Sequence, residues 1–136
     1  KAIRSNQEKE NTFKDKRILI VDDDMRNVFA LSSILENKGI SVVVGRNGIE
    51  GIQRLEQESE VDLILMDVMM PEMDGYTAMR EIRKQEKFIN IPIIALTAKA
   101  MRDDRQKCIE AGASDYLNKP IDIEKLVSLL RVWLYK

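Results

Sequence analysis

Six polar residues stand where short apolar runs end: Asp22, Asp23 and Asp24, then Asp67, Thr97 and Lys119. Their types fit one chemistry. Clustered carboxylates repel one another and raise each other's pKa unless positive charge sits among them. Lys119 supplies one such charge, and a hard divalent cation would supply the rest. Ligation by oxygen alone selects Mg²⁺, or Mn²⁺, over zinc. Mg²⁺ held by one or two carboxylates keeps positions where phosphate oxygens bind. A hydroxyl and an ammonium at the same rim suit the other oxygens of a phosphoryl group. The chemistry indicated is phosphoryl transfer with a carboxylate as nucleophile. Asp67, alone at the end of its run, is read as the acceptor. Asp23 is read as the direct metal ligand, with Asp22 acting directly or through water.

Composition narrows the alternatives. The chain has 136 residues, enough for one domain. It contains no histidine, which excludes a Ser–His–Asp or Cys–His site, a histidine metal ligand and a phosphohistidine on this chain. The single cysteine, Cys108, excludes an intrachain disulfide and a cysteine zinc cluster. With 22 basic and 23 acidic residues, no basic excess points to nucleic acid or an anionic membrane. No apolar run approaches the roughly 18 residues of a membrane span.

The elements that must position these residues follow from periodicity. Residues 1–14 are polar without an apolar period and read as a linker or arm, with the domain over 15–136. Apolar runs then fall at Ile18 to Val21, Ile40 to Val44, Val61 to Met66, Ile91 to Leu96 and, more weakly, Asp115 to Leu117. Several are apolar at consecutive positions, as strands covered on both faces are. Between them the period turns helical. Val28, Leu31 and Leu35 share a face; Ile49, Ile52 and Leu55 repeat every three, as do Met73, Tyr76, Met79 and Ile82. A fourth helix with a weak stripe is expected near Arg102 to Ala111. The fifth runs through Ile123, Leu126, Val127, Leu130 and Leu134. Gly39 and Gly112 read as helix stops.

Five βα units imply an α/β fold, a doubly wound (βα)5 parallel sheet of flavodoxin-like strand order 2-1-3-4-5. In such sheets ligands bind beyond the carboxyl ends of the strands. The positions 22, 45, 67, 97 and 119 that follow the runs are 23, 22, 30 and 22 residues apart, about one βα unit each. Asp22, Asp23, Asp67, Thr97 and Lys119 are therefore expected around one crevice. Singly, each has a plain reading: an acidic helix cap, a threonine cap, a surface lysine. The plain readings would require five coincidences at one sheet edge.

The segments carrying these residues resemble the motifs of a response-regulator receiver domain. They are Ile18-Leu19-Ile20-Val21-Asp22-Asp23-Asp24, Leu65-Met66-Asp67-Val68-Met69-Met70-Pro71-Glu72-Met73-Asp74-Gly75, Ile93-Ile94-Ala95-Leu96-Thr97-Ala98 and Ala111-Gly112-Ala113-Ser114-Asp115-Tyr116-Leu117-Asn118-Lys119-Pro120. The resemblance runs from about Lys16 to the end. It implies that Asp67 takes a phosphoryl group from phosphohistidine on a histidine kinase domain or a histidine phosphotransfer protein. It implies Mg²⁺ held by Asp22, Asp23, Asp67 and the main-chain carbonyl of Met69. Thr97 would hydrogen-bond a phosphoryl oxygen, Lys119 would pair with another, and Tyr116 would be an aromatic switch following Thr97. Lys119-Pro120 would be cis, and Met69 and Lys99 would tune phosphoryl lifetime.

Thr97-Ala98-Lys99-Ala100-Met101 further resembles receivers of hybrid sensor histidine kinases, with a stand-alone receiver as the other option. The expected setting is cytoplasmic, with membrane anchoring left open for the parent kinase, no direct membrane or nucleic-acid contact by this domain, and a monomer or weak dimer. The domain alone would be a self-phosphorylating receiver rather than a turnover enzyme. A haloacid-dehalogenase-like phosphatase with Asp22 as nucleophile is the enzyme alternative, although Arg26 stands where that family has Thr or Val. A flavodoxin-type protein shares the fold, but the anionic first loop would repel a flavin phosphate.

Overall fold

The computed structural model describes residues 13–58, 60–70, 73–98 and 102–135, with 102–104 as backbone only. The arm up to residue 12, Pro71, Glu72, Lys99, Ala100 and Met101 lie outside the described residues. In chain order the elements are β1 (Arg17–Val21), α1 (Met25–Asn37), β2 (Ser41–Gly45), α2 (Gly48–Gln57) and β3 (Leu63–Asp67). They continue with α3 (Gly75–Lys84), a 3₁₀ turn (Glu86–Phe88), β4 (Ile93–Thr97), α4 (Arg102–Ala111), β5 (Asp115–Asn118) and α5 (Ile123–Leu134).

The five strands are all parallel, in the order β2-β1-β3-β4-β5. The consecutive apolar residues have the expected cause: β3 and β4 are buried at every position. Successive side chains feed opposite faces. Leu19, Val21, Ile64, Met66, Ile93 and Ala95 meet Leu55, Met79, Ile82 and Cys108 on the side covered by α2, α3 and α4. Ile18, Ile20, Leu63, Leu65, Ile94 and Leu96 meet Leu31, Leu35, Leu126 and Leu130 under α1 and α5. At about 2 kcal/mol per buried Leu or Ile, this double layer outweighs every polar contact in the fold.

Helix starts are set by side-chain caps. Asp24 accepts from Arg26 N at 3.0 Å, Asn47 from Glu50 N at 2.8 Å, Asp74 from Thr77 N at 2.8 Å and Asp122 from Glu124 N at 2.9 Å. Each cap is worth about 1 kcal/mol. Gly39 and Gly112 follow α1 and α4 with φ of 88° and 118°, the left-handed stops their positions suggest.

Three details differ from the periodic reading. Ile49 is exposed, and α2 instead buries Gly48, Gly51 and Leu55. A spacing of three drifts about 60° per step from a 3.6-residue helix, so Ile49 and Leu55 cannot share one face. Gly51 lies against β1, where a Cβ would come 2.7 Å from Val21 Cγ2. Met73 precedes α3, which starts at Gly75. Phe13, which composition assigns to the polar arm, is 1% exposed and stacks on Tyr135 with ring centroids 5.9 Å apart.

At the end of the sheet away from Asp67, Arg83 ties four segments together. Its Nε donates to Gly112 O at 2.9 Å, Nη1 to Phe88 O at 2.9 Å and Nη2 to Ser114 Oγ at 3.4 Å. Ser114 Oγ in turn accepts from Ile93 N at 3.1 Å. Arg83→Met keeps the aliphatic stem and removes the donors, leaving carbonyls short of partners. We expect a loss of about 2 kcal/mol in urea unfolding, with site chemistry unchanged. A loss below about 0.5 kcal/mol would mean that water replaces the guanidinium.

Candidate functional site

Among the described residues, the buried polar or charged ones are Asp22, Asp67 and Thr97, and all three stand at the carboxyl end of the sheet. Asp22 directly follows β1, and its N–H extends the ladder to Gly45 O at 3.1 Å. Asp67 and Thr97 are the last residues of β3 and β4. Lys119 follows β5 and is held there by its own N–H, which donates to Thr97 O at 2.7 Å. The parallel register thus delivers side chains from four strands to one place. The Lys119-Pro120 peptide is cis, as the resemblance implies.

Carboxylate oxygens of Asp22, Asp23 and Asp67 lie within 4.8 Å of one another, with Asp23 exposed between two buried partners. The Lys119 ammonium is 3.3 Å from Asp22 Oδ2 and 3.3 Å from Asp67 Oδ1. Asp67 Oδ1 also accepts from Met69 N at 3.2 Å. Burial first, and then the charge of Asp22, push the Asp67 carboxyl up to about 6, against the pull of Met69 N–H and Lys119. Burial alone would lower the Lys119 pKa. Asp22 and Asp67 more than offset it, and the ammonium titrates above the ordinary lysine value. One ammonium therefore does not balance the carboxylates around it. Hard oxygen donors, close convergence and a deficit of positive charge together fit a divalent cation of the Mg²⁺ class.

Asp22, Asp23, Asp67 and Lys119 are brought together, and Thr97 ends the neighbouring strand, buried and bonded through its carbonyl to Lys119 N. Tyr116 pairs in register with Ala95, two residues before Thr97, and is half-buried, with the Arg105 guanidinium 5.9 Å from its ring centroid. The Met69 side chain is exposed and leaves its backbone as the part that meets Asp67. Trp133 Nε1 donates to Asp115 Oδ2 at 3.2 Å, joining α5 to β5.

Two site features escape the sequence reading. Asn27 Nδ2 donates to Asp22 Oδ2 at 2.6 Å. The available signal is its place three residues after the cap Asp24, where side chains reach back past the helix start. Gly75 allows α3 to start hard against β3. A Cβ there would overlap Asp67 O and come 2.6 Å from Val68 Cα.

The model for the response regulator receiver domain matches residues 18–131. Sensor histidine kinase CheAY of Helicobacter pylori is 35% identical over 127 residues, 93% of this chain and 16% of that protein. The chain spans between 15% and 56% of the length of the first curated relatives it matches. One solved neighbour is the receiver domain of a Pseudomonas aeruginosa sensor histidine kinase, with a magnesium ion coordinated in its active-site cleft. It is 40% identical with a TM-score of 0.82, over 89% of this chain and 98% of that one. Another is the receiver domain of a Saccharomyces cerevisiae response regulator, co-crystallised with a histidine phosphotransfer protein. It is 31% identical with a TM-score of 0.82, over 89% of this chain and 90% of that one.

The raised Asp67 pKa has a sign that can be checked. The folded value of about 6 lies above the unfolded one, so the fold is favoured while Asp67 is protonated. Stability is lost as pH climbs from about 4 through about 6, and the loss is complete above that. Asp67→Asn removes it. In chelator at pH 7.5 the variant should be more stable by about 1–3 kcal/mol, several degrees in Tm, with the gap closing towards pH 4.5. A variant less stable than native at pH 7.5 would contradict this electrostatic account.

Proposed function

The chain belongs to the response regulator receiver domain family, and from that premise we propose that Asp67 accepts a phosphoryl group from phosphohistidine on a partner protein. The observation that carries this reading is the burial of Asp22, Asp67 and Thr97 beside a shared lysine at one sheet end. Two buried carboxylates that share a single ammonium are costly to a fold, and groups perturbed in this way concentrate at functional sites.

Asp67 is better suited to attack than Asp22. Both oxygens of Asp22 are engaged, Oδ1 by Asp24 N at 2.9 Å and Oδ2 by Asn27 and Lys119. Asp67 meets Met69 and Lys119 through Oδ1, so neither contact uses Oδ2. In the proposed step a carboxylate oxygen of Asp67 bonds to phosphorus and the P–N bond breaks. The electron pair of that bond passes to the imidazole, which takes up a proton. Lys119 pairs with one phosphoryl oxygen as charge builds, and the Thr97 hydroxyl donates to another. Asp22, Asp23, Asp67 and the Met69 carbonyl would hold the cation. When bound, Mg²⁺, or Mn²⁺ in its place, supplies the charge that lets anionic phosphate approach three carboxylates. The magnesium in the Pseudomonas neighbour supports the same cation here.

The donor is a histidine kinase domain or a histidine phosphotransfer protein, a reading supported by the co-crystallised yeast neighbour. The sensor kinases among the relatives support membership of a hybrid histidine kinase over a stand-alone receiver. We take the domain to begin early enough to include Phe13 and to act in the cytoplasm as a monomer or weak dimer, without nucleic-acid or direct membrane contact. No helix among the described residues is long and apolar enough to cross a membrane. Once phosphorylated, Asp67 draws Thr97 and Lys119 inward and Tyr116 follows Thr97, so that α4, β5 and α5 shift together.

The test is intact-mass spectrometry after incubation with acetyl phosphate. One Mg²⁺-dependent phosphoryl adduct is expected on the native chain and none on Asp67→Asn. Thr97→Ala should keep the adduct and form it about ten- to a hundredfold more slowly. An adduct that survives Asp67→Asn would move the nucleophile to Asp22 and towards the phosphatase chemistry.

A further inference from the structure

Asp22 is fully buried, and three donors fix its carboxylate. Asp24 N donates to Oδ1 at 2.9 Å, whereas Asn27 Nδ2 at 2.6 Å and Lys119 Nζ at 3.3 Å both donate to Oδ2. A carboxylate oxygen offers about two acceptor directions. On Oδ2 both are therefore in use, one by a neutral amide and one by the ammonium. That ammonium stands equally far, 3.3 Å, from Asp67 Oδ1. Its even division between two carboxylates depends on how strongly each attracts it. The short Asn27 bond draws down the electron density of Oδ2 and fills the direction from which a second cation could approach.

We propose that Asn27 is a positioning residue for phosphoryl transfer. By occupying Asp22 Oδ2, it keeps Asp22 from taking Lys119 away from Asp67 and from giving that oxygen to the metal. The proposal rests on the reading of Asp67 as acceptor. Asn27 is placed to act because α1 is capped by Asp24 and starts at Met25, so the third helical residue reaches back over the end of β1. Without the amide, a dry carboxylate oxygen regains an open acceptor direction. Lys119 then moves towards Asp22, and the freed oxygen becomes an added ligand for a cation. Two properties should therefore change in opposite senses. A loss of mere packing would weaken both.

The experiment uses the 136-residue chain, native and Asn27→Ala, with thermal melting to verify folding. Mg²⁺ affinity is measured by calorimetry without phosphodonor. The phosphorylation rate is measured with acetyl phosphate at saturating Mg²⁺. In Asn27→Ala we expect Mg²⁺ to bind about three- to tenfold tighter while the maximal rate falls about five- to tenfold. Asn27→Ser, whose hydroxyl is too short to reach Oδ2, carries the same test if the alanine variant does not fold. Weaker or unchanged Mg²⁺ binding, or an unchanged rate, would overturn the proposal. If the native chain binds Mg²⁺ but takes no phosphoryl group, the reading of Asp67 fails, and the calorimetry alone still decides what Asn27 does to Asp22.

Discussion

Two carboxylates, Asp22 and Asp67, are buried at the end of a parallel sheet with one ammonium between them. This charge arrangement is costly in a dry setting, and the surrounding structure is organised to hold it. The strands are covered on both faces, so their carboxyl ends cannot turn to solvent without breaking the core. The register then brings Asp67 of β3 beside Leu96 and Thr97 of β4 beside Asn118, one residue short of Lys119. Core burial of about 2 kcal/mol per large apolar side chain exceeds the electrostatic penalty at the site several times over. The sheet can therefore carry an unbalanced cluster that a small surface loop could not.

The loops complete the arrangement through local bonds. Asp24 both caps α1 through its side chain and donates its N–H to Asp22, so the first helix and the first carboxylate share one anchor. Met69 N–H and the close approach of Gly75 fix the turn after Asp67. Lys119 is tethered at its backbone to Thr97, so the lysine and the hydroxyl on neighbouring strands move together. Arg105 near Tyr116, and Trp133 bonded to Asp115, link this edge to α4 and α5. A change of charge at Asp67 is thus felt first by groups that are already coupled.

Much of this was legible in the amino-acid order. Burial on both faces writes consecutive apolar residues, and the helical returns space them by about one βα unit. Strand order and the convergence of Asp22, Asp23, Asp67, Thr97 and Lys119 follow from that rhythm. What stayed hidden depends on approach between elements distant in sequence. Ile49 looks like a core residue until Gly51 is seen to seat α2 against Val21. Phe13 looks like part of a polar arm until its ring meets Tyr135 at the other end of the domain. Nothing in the spacing marks Arg83 on α3, because its partners are carbonyls at the end of the 3₁₀ turn and just after α4. Asn27 reads as an ordinary helix residue because its function lies in a single bond back to Asp22.

The central claim is that, of three converging carboxylates, Asp67 is the one that bonds to phosphorus. It is tested most directly by trapping the acyl phosphate. Chain phosphorylated in the presence of Mg²⁺ is reduced with borohydride, which converts an aspartyl phosphate to homoserine, and the site is read by peptide sequencing in the mass spectrometer. Homoserine at position 67, with Asp22 and Asp23 intact, is the result this account predicts. Homoserine at position 22 or 23 would contradict it and would place the nucleophile in the acidic pair after β1.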